Sequence, residues 1–195
     1  YIAFLSSQGA FDNTKKEVQF LERNIFIKKS PLILDLCCGH GRHSLELAKK
    51  GFRVIGLDYS RYELGLARKT ANQNKLNIEF RQGDARFFKF PEKFDVIINM
   101  FTAFGYGSKR DDRNIIRNAA RHLKKGGKFF IDYINFFWLV CNYKATDRKK
   151  FGNKAALIER EYDFLTDVNT EKRTIIENGK KKIYEFSIRL YTLAQ

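Results

Sequence analysis

The run Asp35-Leu36-Cys37-Cys38-Gly39-His40-Gly41 constrains this chain more than any other. It closes an apolar, β-type stretch from Leu32 to Cys37 and precedes a helical pattern from Arg42 to Lys50. A strand with an acid near its end thus gives way to a glycine turn and then to a helix. Gly39 and Gly41 let the backbone approach a ligand closely, and the N-terminus of the next helix offers unpaired N–H groups to an anion. About twenty residues further on, Asp58 ends a second apolar run, Arg53 to Asp58, where a carboxylate can accept both hydroxyls of a ribose. The two features together describe a nucleotide-type pocket.

The rest of the first 150 residues supports that frame. Further strand patterns lie at Ile78 to Gln82, Phe94 to Met100 and Lys128 to Ile134, and helical patterns at Arg61 to Asn74 and Asp112 to Lys124. Strands alternating with helices predict an α/β fold with a doubly wound, mostly parallel sheet. Ser60 with Glu63 forms a capping box for the second of these helices, and Gly51 and Gly126-Gly127 stand where helices should stop. Thr14 to Asn24, with Val18, Phe20 and Leu21 among charges, reads as a helix before the first strand. Beyond Lys150 the texture changes to alternation: Tyr184, Phe186, Ile188 and Leu190 share one face, and Glu185, Ser187 and Arg189 the other. Asn178-Gly179 is a hairpin turn signal, so an appended antiparallel β meander is expected from about Ala156 to Tyr191. This divides the chain into a ligand-binding core over 1–150, N-terminal helix included, and a β extension over 151–195 on the substrate side.

A nicotinamide or flavin fold shares the glycine turn, but its G-x-G-x-x-G needs a third glycine where this chain has Ser44. The third strand runs into Gly83-Asp84-Ala85, a second acid at the same sheet edge, able to accept from an adenine amine. Two acids flanking one crevice suit a nucleoside without phosphates.

Leu34 to Asp58, Gly83-Asp84 and the stretch from Asn99 to Tyr106 resemble the class I S-adenosylmethionine-dependent methyltransferases. The form Cys-Cys-Gly-His-Gly-Arg-His, Cys37 to His43, resembles their small-molecule branch, with the likeness covering roughly Thr14 to Asn135. It implies S-adenosylmethionine as cofactor. Asp35, Gly39 and Gly41 would hold the methionine part, with Cys37 in the same loop, and Asp58 the ribose. Tyr59 would offer a face to adenine, Asp84 and the Ala85 backbone, following Gly83, would take its edge, and Asn99 and Met100 would line the sulfonium side. Phe101, Phe104 and Tyr106 are the candidate acceptor wall, although ordinary core aromatics would look the same. Tyr106, Tyr133 and His40 are candidate bases by position alone; the resemblance names no catalytic residue. Members of the family usually add a final helix and an antiparallel strand pair to the sheet, so the chain, ending at Leu193-Ala194-Gln195, is either C-terminally shortened, the favoured reading, or uses the meander in their place.

Other groups read more plainly. Cys37, Cys38 and Cys141 lack disulfide or ligand spacing, and the first two suit packing better than nucleophilic chemistry. His40, His43 and His122 share no ligand spacing, so no metal is called for. Three unpaired cysteines fit a reducing, cytoplasmic setting, and no apolar run spans a bilayer, so no membrane partner is expected. Tyr1 to Leu5 shows neither a basic leader nor an initiating Met, so residues are expected upstream. A net charge of +15 favours phosphates, yet the basic residues are scattered, with short clusters at Arg148-Lys149-Lys150 and Lys180-Lys181-Lys182.

The expected reaction is methyl transfer to an oxygen or nitrogen of a small organic acceptor. Asn99-Met100-Phe101-Thr102 lacks the Pro-Pro-aromatic run of adenine and glutamine amine methyltransferases and the Pro-Cys pair of cytosine-carbon enzymes. An RNA methyltransferase is the alternative on charge, and a non-enzymatic nucleic-acid-binding domain the third reading, which leaves the acids and glycine loop unexplained.

Overall fold

A computed structural model describes residues 13–26 and 29–192. The chain start, Tyr1 to Leu5, and the final Leu193-Ala194-Gln195 lie outside these residues. The described residues divide into two units: one from 13 to 103 with 109–133, and one of 104–108 with 134–192.

The first unit is a five-stranded sheet of order β3-β2-β1-β4-β5, built from β1 (Leu32–Leu36), β2 (Arg53–Asp58), β3 (Glu79–Gln82), β4 (Phe94–Asn99) and β5 (Leu123–Ile131). All neighbours pair in parallel. Helices α1 (Thr14–Asn24), α2 (Arg42–Lys49), α3 (Arg61–Gln73) and α4 (Lys109–His122) accompany it. β1 shows why both faces must be covered. Leu34 and Leu36 pack with Ala119 of α4, whereas Ile33, one residue out of phase, packs with Val18 and Leu21 of α1 and Leu47 of α2. A strand buried on both faces reads as a continuous apolar run, as Leu-Ile-Leu-Asp-Leu nearly does. The strand order reverses between β1 and β4, so the carboxyl ends of β1 and β4 flank the crevice where such sheets bind ligands.

Two glycines are required by close approach. A Cβ on Gly56, in the middle of β2, would lie 2.6 Å from the Phe80 ring and 2.9 Å from the Cys38 sulfur. Gly127 would place one 3.0 Å from the Asp95 carbonyl oxygen. This corrects the expectation that Gly126-Gly127 stops a helix. α4 already ends at His122, and the glycines sit inside β5, which begins earlier than its apolar residues suggest and whose pairing with β4 shifts register after Phe94. Gly126 has a φ of 77°, so the pair absorbs a bulge. The capping box at α3 is half formed: Ser60 Oγ accepts from Glu63 N at 3.3 Å, while the Glu63 carboxylate lies 3.9 Å from His40 Nδ1.

In the second unit, α5 (Phe136–Cys141) precedes an antiparallel sheet of order β6-β7-β8-β9. Its strands are β6 (Thr146–Phe151), β7 (Lys154–Asp163), β8 (Val168–Glu177) and β9 (Lys180–Arg189). The meander begins ten residues before the expected Ala156, because β6 (Thr-Asp-Arg-Lys-Lys-Phe) carries too few apolar residues to show alternation. α5 was also not expected; Asn135 caps it, with its side chain accepting from Trp138 N at 3.0 Å. The alternation in β9 holds: Ile188 and Leu190 are buried, and Glu185 and Ser187 exposed. Asn178 and Gly179 have φ of 48° and 73°, the double left-handed turn that matches strand twist. On the sheet, buried Glu171 accepts from Arg160 Nε at 2.7 Å and also pairs with Arg173. Among the described residues no helix is long and apolar enough to cross a membrane.

Candidate active site

The loop after β1 is shaped by three left-handed residues, Cys37, Gly39 and Gly41, with φ of 62°, 55° and 77°. Cys38 N–H donates to the Leu57 carbonyl at 3.0 Å, tying the loop to β2, and Gly41 N–H donates to the Cys38 carbonyl at 2.9 Å. Gly41 then caps α2 without a side chain, its carbonyl accepting from Leu45 N–H at 2.8 Å. A Cβ on Gly41 would meet Ala67 and Phe80 at 3.0 Å, so that glycine is packed tight, whereas nothing lies within 4 Å of one on Gly39. The space over Gly39 is open to a ligand.

Asp58, at the end of β2, faces this loop. Its Oδ2 accepts from Gly39 N–H at 2.7 Å and its Oδ1 from Ser60 N–H at 2.8 Å. Each carboxylate oxygen has two acceptor positions, so one per oxygen remains. That capacity fits the paired hydroxyls of a ribose. Tyr59, exposed, stands beside it.

Asp35 is placed differently. It is 1% exposed, and its Oδ2 accepts from Ser44 N–H at 3.1 Å and Ser44 Oγ–H at 2.6 Å. Burial raises its pKa, opposed by His43 and Ser44. The side chain braces the start of α2 from inside, and Ser44, which stands where a dinucleotide fold needs glycine, is the residue it holds.

The other edges are also set. Gly83 N–H donates to the Asp58 carbonyl at 3.0 Å, placing Asp84 and Ala85 just past β3. Asp84 is clasped by Arg86, whose Nη2 lies 2.6 Å from Asp84 Oδ2 and whose Nη1 lies 3.1 Å from Asp111 Oδ1. Asn99, buried at the end of β4, donates from Nδ2 to the Leu36 carbonyl at 2.9 Å, and Met100 is buried beyond it. Phe101 and Thr102 are both left-handed, with φ of 61° and 53°. Asp132 holds that turn: its Oδ2 accepts from Phe101 N–H at 2.9 Å and its carbonyl from Thr102 N–H at 3.0 Å.

Arg42, the first residue of α2, lies with its guanidinium 4.9 Å over the Phe101 ring and donates to Glu17 Oε2 at 2.6 Å. His43 Nε2 meets the same Glu17 oxygen at 2.8 Å, so α1 is pinned to the glycine loop. Burial alone would raise the Glu17 carboxyl, but hydrogen bonds from His43 and Arg42 outweigh it and hold the pKa below its ordinary value. Burial, then Arg42 and His43, lower the His40 pKa. Burial, together with Asp58 and Asp35, pushes the Cys37 thiol up to about 12, and Cys38 moves the same way, which leaves both as packing thiols.

The remaining sequence candidates make contacts of their own. Tyr133 is half-buried after β5. In the second unit, Phe104 packs 5.7 Å from Tyr191 and Tyr106 6.1 Å from Phe186, and burial raises the Tyr106 pKa. That unit also holds an apolar pocket of about 260 Å³ lined by Phe136, Leu139, Tyr143, Tyr162 and Phe164 among others, with none of the expected wall residues. Glu17, Arg42, Arg86 and Asp132 were not singled out from sequence. Asp132 carried a signal, an acid after an apolar strand, as at Asp58. Glu17 and Arg42 meet across 25 residues of sequence, and Arg86 joins Asp84, two residues away, to Asp111, 25 residues away, which spacing does not reveal.

A parallel sheet with a left-handed glycine loop after β1 and a half-free carboxylate after β2 is a nucleoside-binding Rossmann-like fold. Residues 33–127 match the family model described as a methyltransferase domain, in agreement with the resemblance to the class I S-adenosylmethionine-dependent methyltransferases. It is 36% identical over 101 residues to a cypemycin N-terminal methyltransferase of Streptomyces, covering 51% of this chain and 40% of that protein. It is 34% identical over 129 residues to the ubiquinone biosynthesis O-methyltransferase of Coxiella burnetii, covering 66% of this chain and 51% of the relative. The chain thus spans about half the length of the curated relatives it matches. The CcbJ methyltransferase of Streptomyces caelestis shares the fold, with a TM-score of 0.81 at 18% identity over 93% of this chain and 74% of that one.

Proposed function

We propose that this protein transfers the methyl group of S-adenosylmethionine to an oxygen or nitrogen of a small organic acceptor. The observation that carries the reading is Asp58, whose carboxylate holds the glycine loop by one hydrogen bond and keeps an acceptor position on each oxygen for a ribose. The relative named for O-methylation in ubiquinone biosynthesis supports the acceptor class.

When bound, the cofactor supplies an already activated methyl on its sulfonium. The protein's task is then alignment and exclusion of water rather than activation. Gly39 and Gly41 shape the backbone for the methionine part, Tyr59 covers the base, and buried Asn99 and Met100 wall the methyl side. Asp132 fixes the left-handed turn at Phe101 and so sets the rim next to them. Where the acceptor carries a proton, His40, whose burial lowers its pKa, is available as a neutral base in the same unit as the loop.

Thermal melts test this directly. S-adenosylmethionine or S-adenosylhomocysteine should raise Tm by mass action while NAD leaves it unchanged. Release of S-adenosylhomocysteine across a panel of phenols, amines and carboxylates then identifies the acceptor. Tight NAD binding with no response to either sulfur nucleoside overturns the proposal.

A further inference from the structure

Phe136, Leu139 and Val140 of α5, with Tyr143 just past it, follow the i, i+3, i+4, i+7 spacing of one helix face. Such a face normally closes on a packed core, where voids larger than a water molecule are few. Here the four residues line, with Tyr162 of β7 and Phe164 just past that strand, the apolar pocket of about 260 Å³ in the second unit. Its rings meet at steep angles: Tyr162 and Phe164 have centroids 4.8 Å apart at 84°, and Phe136 stands 6.1 Å from Tyr162 at 52°. A further ring can join such a set edge to face or offset, the arrangements that the ring quadrupole favours. Among the described residues the only side chains on the wall with polar atoms are the two tyrosines, and none is charged. The Tyr162 hydroxyl donates to Asp167 Oδ1 at 3.1 Å. Burial, then that carboxylate, pushes the Tyr162 phenol up to about 12, and burial raises Tyr143 as well, so both are neutral. Neither an anion nor a cation would meet a counter-charge on this wall, and an ion buried without one is strongly disfavoured. Size narrows the occupant further. An apolar cavity of about 150 Å³ takes up benzene, so about 260 Å³ suits one substituted ring or two fused ones.

We propose that the second unit carries its own binding site for a small molecule with an uncharged aromatic ring, monocyclic or fused bicyclic, held between the α5 face and the Tyr162–Phe164 corner. Its source is either the methyl acceptor itself or a separate ligand, and the recognised chemistry is the same in both. The site uses no residue of the cofactor cluster, so it stands independently of the methyl-transfer reading.

Trp138, the chain's single tryptophan, sits on α5 beside Leu139 and reports occupancy by its fluorescence. In cofactor-free protein, 2-naphthol should change that emission saturably at micromolar concentrations. Phenol should bind more weakly, and benzoate and benzylammonium at least about tenfold more weakly than phenol, because their charge finds no partner on the wall. Leu139→Phe and Val140→Phe fill the pocket from the helix side; each should weaken 2-naphthol about tenfold, the scale of excluding part of one ring, with circular dichroism unchanged. Non-saturating quenching of the wild type, undiminished 2-naphthol affinity in a folded filling variant, or charged rings binding as well as phenol each overturns the proposal. Turnover then separates the two sources, using alcohols that end in a naphthyl, a phenyl or a methyl group and reading S-adenosylhomocysteine release. If the acceptor supplies the ring, KM falls about tenfold from methyl to naphthyl at unchanged kcat, and Val140→Phe removes that gain. If a separate ligand supplies it, KM ignores the ring while 2-naphthol still binds and is still displaced by the filling variants. Absence of methyl transfer to every acceptor, with saturable 2-naphthol binding intact, fails the reading of the function and leaves this site standing.

Discussion

Asp58 both organises the loop and retains acceptor capacity, and this double duty separates it from the other acids at the sheet edge. Asp35 Oδ2 takes both the N–H and the Oγ–H of Ser44, and Asp84 is clasped by Arg86, while Asp58 accepts one backbone N–H per oxygen. Removing it should therefore cost ligand binding rather than the fold. Asp58→Ala is expected to weaken S-adenosylhomocysteine binding by about 1.5 to 3 kcal/mol, the scale of charge-assisted hydrogen bonds. Calorimetry beside circular dichroism checks it, and an unchanged Kd with native dichroism would reduce Asp58 to a loop cap. The position of these acids was legible in the sequence because each lies near the carboxyl end of a strand, Asp35 inside β1, Asp58 at the end of β2 and Asp84 two residues past β3. Their division of labour was not, because it depends on partners: Ser44, nine residues along, takes Asp35, and Arg86 folds back two residues onto Asp84 while reaching Asp111 on another helix.

At the scale of elements, the strands with buried faces were readable nearly to their ends; β2 spans Arg53–Asp58 as the apolar run does. β5 and β6 were misjudged because glycines and lysines carry their backbone pairing, and register follows the partner strand there rather than hydrophobicity. α1 was legible as a helix, but its role was not. Through Glu17 it grips Arg42 and His43 at the start of α2, so its docking couples to the loop that α2 follows. The sign of the resulting pH dependence follows from the lowered Glu17 pKa. The folded state favours the carboxylate, so the contribution is full above the ordinary value near 4.5 and is lost as pH falls through the lower folded value. Glu17→Gln should be less stable than wild type by about 1 kcal/mol at neutral pH, a modest figure because the pair is partly exposed. In urea melts the two proteins should converge as pH drops below 4.5. A constant gap across the acid range would show that the pair adds nothing through its charge.

Over the whole molecule, the feature that fold and site leave unexplained is a net charge of +15. The basic residues behind it lie on many elements: Lys49 reaches Glu46, Lys50 reaches Glu22, Lys124 reaches Asp95 and Lys154 reaches Glu177. The clusters seen in sequence fall on β6 and β9, where Lys150 stands across from Ala155, Ile176 and Lys181 in one cross-strand row. These lysines are exposed and offer phosphates a diffuse attraction, but the row places no aromatic ring between them on which a base could stack. Diffuse attraction has a known signature: affinity that ignores sequence and falls steeply as counterions compete. Filter binding with several unrelated RNAs should give similar affinities at low salt, all fading toward physiological salt. Charge reversal at Lys150 and Lys181 should weaken every RNA alike and leave S-adenosylhomocysteine binding untouched, since neither residue belongs to the cofactor cluster. One RNA held below micromolar Kd at physiological salt while the others dissociate would instead make nucleic acid the methyl acceptor to pursue. In that event the small-molecule reading would fail and the cofactor site would stand.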